Sequence, residues 1–199
     1  MKTLTATKKL IVLFIASIFV LSCSDDDNDP EPFVPTNNLV EIVQANPDIL
    51  SDLEDALTKY PDLINTLSGD GTFTVFAPTN DAFDALLDAI GQDSIDDIPE
   101  DVLRNVLEYH VFASATVTSN LVSPGDITMV NGETATITSD SNGLFIAGAE
   151  IIAVDALATN GVAHIIDNVM VPPSIAPIVG TIVAPAYFNK DFTTLIAAV

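Results

Sequence analysis

The hydrophobic period changes once along this chain, and that change restricts the possible folds more than any other feature. Over residues 39–107 most apolar residues recur every three or four positions, as in amphipathic helices, apart from one short alternating stretch, TFTVFAP. From Val117 onward the period is two, which is typical of β-strands. Asn-Gly pairs, which favour tight hairpin turns, separate the alternating runs at Asn131, Asn142 and Asn160. Helices followed by strands predict an α+β domain rather than alternating βαβ units.

Local signals indicate where several elements begin and end. Pro47 suits the first turn of a helix, and Thr79 is a good N-cap in front of an apolar stripe. A further helix is expected from near Pro99, and a last strand is expected from Val162 to Val171. The folded domain is therefore predicted over residues 39–173, which is enough chain for one sizeable core.

Residues 1–22 are typical of an export signal. A basic start with Lys2, Lys8 and Lys9 precedes an uncharged apolar run at residues 10–21. A helix needs about 20 apolar residues to span a bilayer, so a cleaved signal peptide is the preferred interpretation and a retained signal anchor is the alternative. Cys23 follows at once and is the only cysteine, which excludes an internal disulfide and a cysteine-rich metal site.

An acidic, proline-rich segment follows at residues 23–38. It is poor in apolar residues, and this composition favours an extended, solvated tether. All 28 acidic residues of the chain lie beyond Cys23, whereas the basic residues there are only Lys59, Arg104 and Lys190. Such a negative surface repels phosphate backbones and anionic lipid headgroups, so nucleic acid is not expected as a partner.

Three stretches of the predicted domain together resemble the fasciclin-like (FAS1) family. They are GDGTFTVFAPTNDAF at residues 69–83, LEYHVF at residues 107–112 and NGVAHIIDNVMVPP at residues 160–173, in the family's order and spacing. The resemblance implies an α+β wedge, a β-sandwich of short strands flanked by several α-helices. It also implies a non-catalytic, extracellular module that is used in adhesion or matrix contacts.

The family's signature residues, carried over onto this sequence, are expected to be structural. They are Thr72, Phe76, Ala77, Pro78, Thr79, Phe83, Gly161, His164, Asp167 and Val169. In animal members the Tyr-His region is also implicated in receptor contact, so the resemblance makes Tyr109 and His110 candidates for partner binding. The residues themselves favour core positions for both histidines, because His110 follows the apolar side of its helix and His164 alternates with apolar strand residues.

The residues around the cysteine resemble a second known pattern. VLSC, at residues 20–23, is similar to a bacterial lipobox, with Val20 at the position that usually holds leucine. The acidic residues after it resemble the surface-export signal of Bacteroidetes lipoproteins. This resemblance implies that Cys23 carries the lipid and anchors the protein in the outer membrane, exposed at the cell surface. Lipoprotein modification supplies more than one acyl chain, as stable anchoring requires.

The sequence predicts no catalytic residue, no cofactor and no metal site. Nucleophilic catalysis needs a serine or cysteine with a base in reach, and no G-x-S-x-G motif occurs. Two groups of residues could offer oxygen ligands to a metal ion: the first is Asp167 with Asn168, and the second is Asp93, Asp96, Asp97 and Glu100. Neither group has the spacing of an EF-hand calcium loop. Backbone bonding at a strand end explains the first group, and helix capping explains the second.

The C-terminal residues contain a partial internal repeat. FTTLIAAV at residues 192–199 has apolar residues at the same places as LSDLEDAL at residues 50–57. The repeat predicts that residues 174–199 form a linker and the first helix of a second, truncated FAS1 domain.

Two functional hypotheses follow from these patterns. The leading one is a surface-tethered lipoprotein whose FAS1 module mediates cell adhesion or binds matrix or polysaccharide. The alternative is a structural or accessory subunit of an envelope complex. A contiguous apolar patch on the folded surface would favour the accessory subunit, whereas an evenly polar, acidic surface would favour weak, multivalent adhesion.

Overall fold

The computed structural model describes residues 34–113 and 123–177, together with Thr118 and Val179. The predicted signal peptide, Cys23 with most of the tether, and the predicted second-domain helix lie outside these residues. Within the described ranges, no helix has both the length and the apolar character that crossing a membrane requires.

Helices make up most of the first half of the domain. They are α1 (Leu39–Gln44), α2 (Pro47–Thr58), α3 (Pro61–Ser68), α4 (Asn80–Ile90) and α5 (Glu100–Tyr109), with a 3-10 helix at Ile95–Asp97 before α5. Pro47 begins α2, as the sequence predicts. Thr79 is the N-cap of α4, and its hydroxyl accepts a hydrogen bond from the Ala82 amide at 3.3 Å.

Seven strands form one sheet. They are β1 (Phe73–Pro78), β2 (Val111–Phe112), β3 (Gly125–Thr128), β4 (Thr134–Ser139), β5 (Leu144–Ile146), β6 (Ala149–Ala158) and β7 (Gly161–Ile166), in the order β2-β1-β7-β6-β5-β4-β3. Among these strands of the described ranges, β1 and β7 are parallel neighbours and the other pairs are antiparallel. The Val130 amide donates to the Val111 carbonyl at 2.9 Å, which brings the β3 end of the sheet back to β2. The α+β prediction is confirmed.

The parallel pair β1 and β7 lies at the centre of the domain. Both strands are buried along their whole length, because each face of this part of the sheet is covered by other residues. One apolar cluster packs between the sheet and the helices and includes Leu53, Phe83 and Leu103. The other lies on the opposite face, inside the curved sheet, and includes Phe76, Tyr109, Ile137, Ile166 and Met170.

The last two residues of the predicted tether bond to the domain. The Asn37 carbonyl accepts a hydrogen bond from the Thr159 amide at 2.9 Å. Asn38 caps α1 in a reciprocal pair with Glu41, in which each side chain accepts from the other residue's backbone amide. Asn37 and Asn38 therefore take part in holding the domain together.

The last strand is shorter than predicted, because β7 ends at Ile166 rather than at Val171. The Asp167 amide still donates to the Glu150 carbonyl at 3.1 Å, but the Glu150 amide donates to the side chain of Asp167 at 2.7 Å, so the regular ladder ends here. Further along, the Met170 amide donates to a ring nitrogen of His110 at 2.9 Å instead of to a strand. Val169 and Met170 are buried without belonging to the sheet.

Candidate functional site

Tyr109 ends α5 with its ring inside the domain. The residue is 2% exposed, and its hydroxyl donates to the Thr134 carbonyl oxygen at 2.8 Å. Burial, and to a smaller extent the charge of Glu133, raises the pKa of Tyr109 above its ordinary value of 10.0. The hydroxyl is therefore a neutral donor that connects α5 to the first residue of β4.

Replacing Tyr109 with phenylalanine is expected to lower the free energy of unfolding by about 1 kcal/mol, the usual net contribution of one hydrogen bond. The ring and its packing remain, so the change isolates the bond to Thr134. Urea unfolding followed by circular dichroism measures the difference. An unchanged midpoint would show that the hydroxyl adds nothing to the stability of this contact.

His110 follows Tyr109 as the C-cap of α5 and is 2% exposed. A backbone amide can only donate, so Nε2 of His110 accepts from the Met170 amide at 2.9 Å. The proton of the neutral ring is then on Nδ1, which donates to the Val106 carbonyl at 2.7 Å. Burial lowers the pKa of His110 from 6.5 to about 4, although the bond to Val106 acts in the opposite direction. The ring is thus neutral near pH 7, with both nitrogens bonded inside the domain.

His164 lies on β7, opposite Phe76 of β1, and is fully buried. Its Nδ1 accepts from the Asp155 amide at 3.3 Å, and its ring centroid is 5.6 Å from that of Phe76. Asp155 has a φ of 61° and lies within a register shift of β6 against β7, where an irregular strand can turn an amide toward a neighbouring side chain. Both histidines therefore connect elements within the core, while partner binding by Tyr109 and His110 stays a prediction.

Asn160 is a junction between three elements, although its local sequence indicates only a turn. Its Oδ1 accepts from the Leu39 amide at 3.0 Å, and its Nδ2 donates to the carbonyls of Leu67 at 2.7 Å and Gly69 at 3.1 Å. One buried side chain thereby joins the start of α1 and the end of α3 to the β6–β7 turn. The partners are about a hundred residues away in the chain, so no local sequence signal predicts them.

Gly161, the next residue, allows β1 and β7 to pair. It lies opposite Phe73 in the parallel register. A Cβ at this position would be 2.1 Å from the Phe73 carbonyl oxygen and 3.0 Å from a methyl carbon of Leu39. Only glycine fits against the backbone of β1 here, which gives this signature residue a physical role.

The other signature residues occupy packing, capping or strand-end positions. The buried ones are Phe76, Ala77, Pro78, Phe83 and Val169. Thr79 caps α4, Asp167 bonds to Glu150 beyond the end of β7, and Thr72 is exposed just before β1.

Acidic side chains line a groove beside α2 and α4. The carboxylates of this groove are Asp52, Asp55, Asp84, Asp93 and Asp96. Lys59 also lines it and forms an ion pair with Asp96. Of the other acids considered in the sequence, Asp97 is in the 3-10 helix and Glu100 is in the first turn of α5. In residues 34–113 and 123–177, no three potential ligands are grouped so that they could hold a metal ion.

Replacing Asp52 with asparagine is expected to stabilise the domain at neutral pH, by less than about 1 kcal/mol because the site is only partly desolvated. Burial first, and then the charges of Asp84 and Asp55, raises the pKa of Asp52, so its carboxylate is less favourable in the folded state than in the unfolded state. Thermal melts at low and high salt measure the effect. The gain should shrink in high salt as the acid repulsion is screened, and a lower melting temperature of the variant would contradict this account.

Comparison with known proteins identifies the family of this fold. The Fasciclin domain model matches residues 48–172, which include the first two signature stretches and nearly all of the third. Protein sll1483 of Synechocystis is 38% identical over 118 residues, which cover 59% of this chain and 65% of that protein. Immunogenic protein MPT70 of Mycobacterium tuberculosis is 32% identical over 124 residues, which cover 61% of each chain.

A solved structure is also similar, that of a FAS1 domain pair from the insect cell adhesion molecule fasciclin I. The TM-score is 0.49 at 20% identity, and the match covers 62% of this chain and 45% of that chain. The present chain spans less than two thirds of the length of the two bacterial relatives above. Because the family model matches well over half of the sequence, the chain belongs to the fasciclin (FAS1) domain family.

Proposed function

We propose that this protein is a surface-tethered lipoprotein whose FAS1 domain is a non-catalytic binding module for adhesion to cells, matrix or polysaccharide. Membership of the FAS1 family supports a binding module. The observation that carries the proposal further is the inward direction of the polar motif: Tyr109, His110 and His164 bond to backbone groups inside the domain. We therefore assign ligand contact to the outer surface of the domain rather than to the Tyr-His pair.

The negative charge of the outer surface determines which ligand groups it can favour. The described ranges contain only two basic side chains, Lys59 and Arg104, and both are paired with carboxylates. Arg104 bonds to Glu108 at 2.9 Å and also to Asp62. The remaining carboxylates favour neutral or cationic ligand groups over anionic ones. Contacts of this kind are individually weak, and several domains or several copies would strengthen them through avidity.

Display of the full chain on intact cells tests the proposal. Protease treatment should remove the wild-type protein from the cell surface, and cells that carry it should attach to matrix-coated or polysaccharide-coated plates better than cells without it. The Cys23→Ala variant should lose both display and attachment, because the lipid-bearing sulfur is absent. A protein that resists protease on intact cells would contradict surface exposure, and display without a gain in attachment would contradict adhesion.

One observation favours the alternative function, that of an accessory envelope subunit. Ile152, Val154 and Leu157 on β6 are 46%, 47% and 37% exposed, so one strand presents three apolar side chains on an otherwise acidic domain. The Val154→Lys variant separates the two functions. It should leave attachment unchanged if adhesion uses the acidic surface. It should release the protein from a detergent-extracted complex if β6 packs against a fixed subunit.

A further inference from the structure

The three Asn-Gly pairs of the strand-rich half have very different surroundings. Each pair has the local pattern for spontaneous deamidation, in which the backbone nitrogen of the following residue attacks the asparagine side chain. Glycine favours this reaction because it has no Cβ to block the approach and restricts the backbone least. What differs among the three sites is how firmly the fold holds the side-chain amide and the attacking nitrogen.

Asn142 is exposed in the turn between β4 and β5. Its side-chain nitrogen has one contact, at 3.4 Å to a carboxylate oxygen of Asp140, which is long for a hydrogen bond. The Gly143 amide donates to the same carboxylate at 3.2 Å. Both reacting groups are thus held by one exposed side chain, which also accepts from the Asn142 backbone amide at 2.7 Å. Rotation of the Asp140 side chain breaks these bonds and releases both groups without separating any helix from the sheet.

Asn131 is half-buried in the turn between β3 and β4 and is held by several partners. Its Nδ2 donates to Asn105 of α5 at 2.9 Å and to Glu133 at 3.3 Å, while its Oδ1 accepts from the Glu133 amide at 3.0 Å. The attacking nitrogen of Gly132 donates to the Met129 carbonyl at 2.9 Å. Reaction here requires several bonds to break at once.

Asn160 is held more firmly still. It is 8% exposed, and its three side-chain bonds reach Leu39, Leu67 and Gly69. Gly161 is packed against the backbone of β1. Freeing this pair requires α1 and α3 to separate from the sheet, which is local unfolding rather than side-chain rotation.

We propose that Asn142 is a self-modification site of the folded protein, and that the fold protects Asn131 and Asn160 from the same reaction. The Gly143 nitrogen forms a bond to Cγ of Asn142, the bond from Cγ to the side-chain nitrogen breaks, and that nitrogen leaves as ammonia with the proton of the Gly143 amide. Water then opens the succinimide ring at one of its two carbonyls, which yields aspartate or isoaspartate. The net reaction is a hydrolysis that consumes one water and involves no oxidant or reductant.

The product changes the β4–β5 hairpin. Both products add a carboxylate beside Asp140, and isoaspartate also inserts one extra carbon into the backbone of the turn. Turn geometry sets the register of a hairpin, and β5 has only three residues to hold that register. We expect loosening at the exposed turn end of β5, which β6 separates from the β1–β7 pair, so the modified protein stays folded.

Peptide mapping by mass spectrometry tests the site. The purified full chain is aged in mildly alkaline buffer at physiological temperature, and each Asn-Gly peptide is followed for the mass increase that accompanies replacement of NH by O. The Asn142 peptide should convert roughly tenfold or more faster than the Asn131 and Asn160 peptides, because the bonds of its reacting groups are long and exposed, while those at the protected sites are shorter and tie the asparagine to other elements of the fold. The Asn105→Ala variant removes one partner of Asn131 and should speed conversion there without changing the rate at Asn142.

Ageing the same chain in concentrated urea is the control for local sequence. In the unfolded chain the three rates should become similar, because each site is then an exposed Asn-Gly pair and the sites differ mainly in the preceding residue. Equal rates in the folded protein would overturn the proposal, and so would a preference for Asn142 that persists unchanged in urea.

Discussion

Replacing Gly161 with alanine is expected to cost about 3 kcal/mol of unfolding free energy or more, at the upper end of what overpacking a core costs. The added Cβ would lie 2.1 Å from the Phe73 carbonyl oxygen, which is a backbone atom of a fully buried strand and has no flexible end to move away. The β6–β7 turn would have to shift, and the bonds of Asn160 to α1 and α3 would shift with it. Urea unfolding followed by circular dichroism measures the loss.

The Gly148→Ala variant is the matched control for this substitution. Gly148 has a φ of +87°, which strains any residue with a Cβ, but its Cβ would meet nothing within 4 Å. The Gly148→Ala substitution should lower the free energy of unfolding by about 1 kcal/mol, which is the cost of the backbone conformation alone. If Gly161→Ala were no more destabilising than Gly148→Ala, close approach of β1 and β7 would not explain the glycine.

The sequence was sufficient for the elements with strong local signals. A proline or a capping threonine marked the starts of α2 and α4, and Asn-Gly pairs marked the hairpins. The helical period of residues 39–107 covers α3, but the sequence gives this helix no separate bounds because its apolar stripe is short, with Leu63, Ile64 and Leu67. The sequence predicts too long a last strand because apolar residues resume at Val169, Met170 and Val171 after Asp167 and Asn168. In the structure the amide of Met170 is bonded to His110 and not to a neighbouring strand.

The candidate site could be located from the sequence, but its bonding could not. Helical spacing placed His110 beside the apolar side of α5, and strand alternation placed His164 among apolar residues. The partners of His110 and Tyr109 include Met170 and Thr134, which are 60 and 25 residues away along the chain. Such pairs depend on how the sheet curves back toward α5, and no short pattern encodes that curvature. The family resemblance singles out Tyr109, His110 and His164, and the structure shows which groups their side chains bond to.

His110 is expected to lower the stability of the domain as the pH falls from about 6.5 to about 4. The folded-state pKa of His110, about 4, is below its ordinary value of 6.5, so the unfolded chain binds a proton in this range that the folded domain does not. The contribution of the neutral ring is therefore complete above pH 6.5, declines as the pH falls toward 4, and declines no further below that. The difference between the two pKa values of His110 corresponds to about 3 kcal/mol of unfolding free energy, at 1.36 kcal/mol for each pKa unit.

The hydrogen bonds of His110 explain why the folded domain excludes a second proton from its ring. A protonated ring would carry N–H groups at both nitrogens, and Nε2 would then meet the amide of Met170, which is also a donor. Nδ1 already donates to Val106, so the second proton gains no bond while the buried ring acquires a charge. Urea unfolding across this pH range should therefore show a steeper loss of stability in the wild-type protein than in His110→Gln, which is polar but does not titrate. Carboxylates titrate in both proteins, so the difference between the two curves isolates the histidine. Parallel curves between pH 6.5 and 4 would show that His110 is protonated in the folded domain and that its bond to Met170 does not control the acid stability.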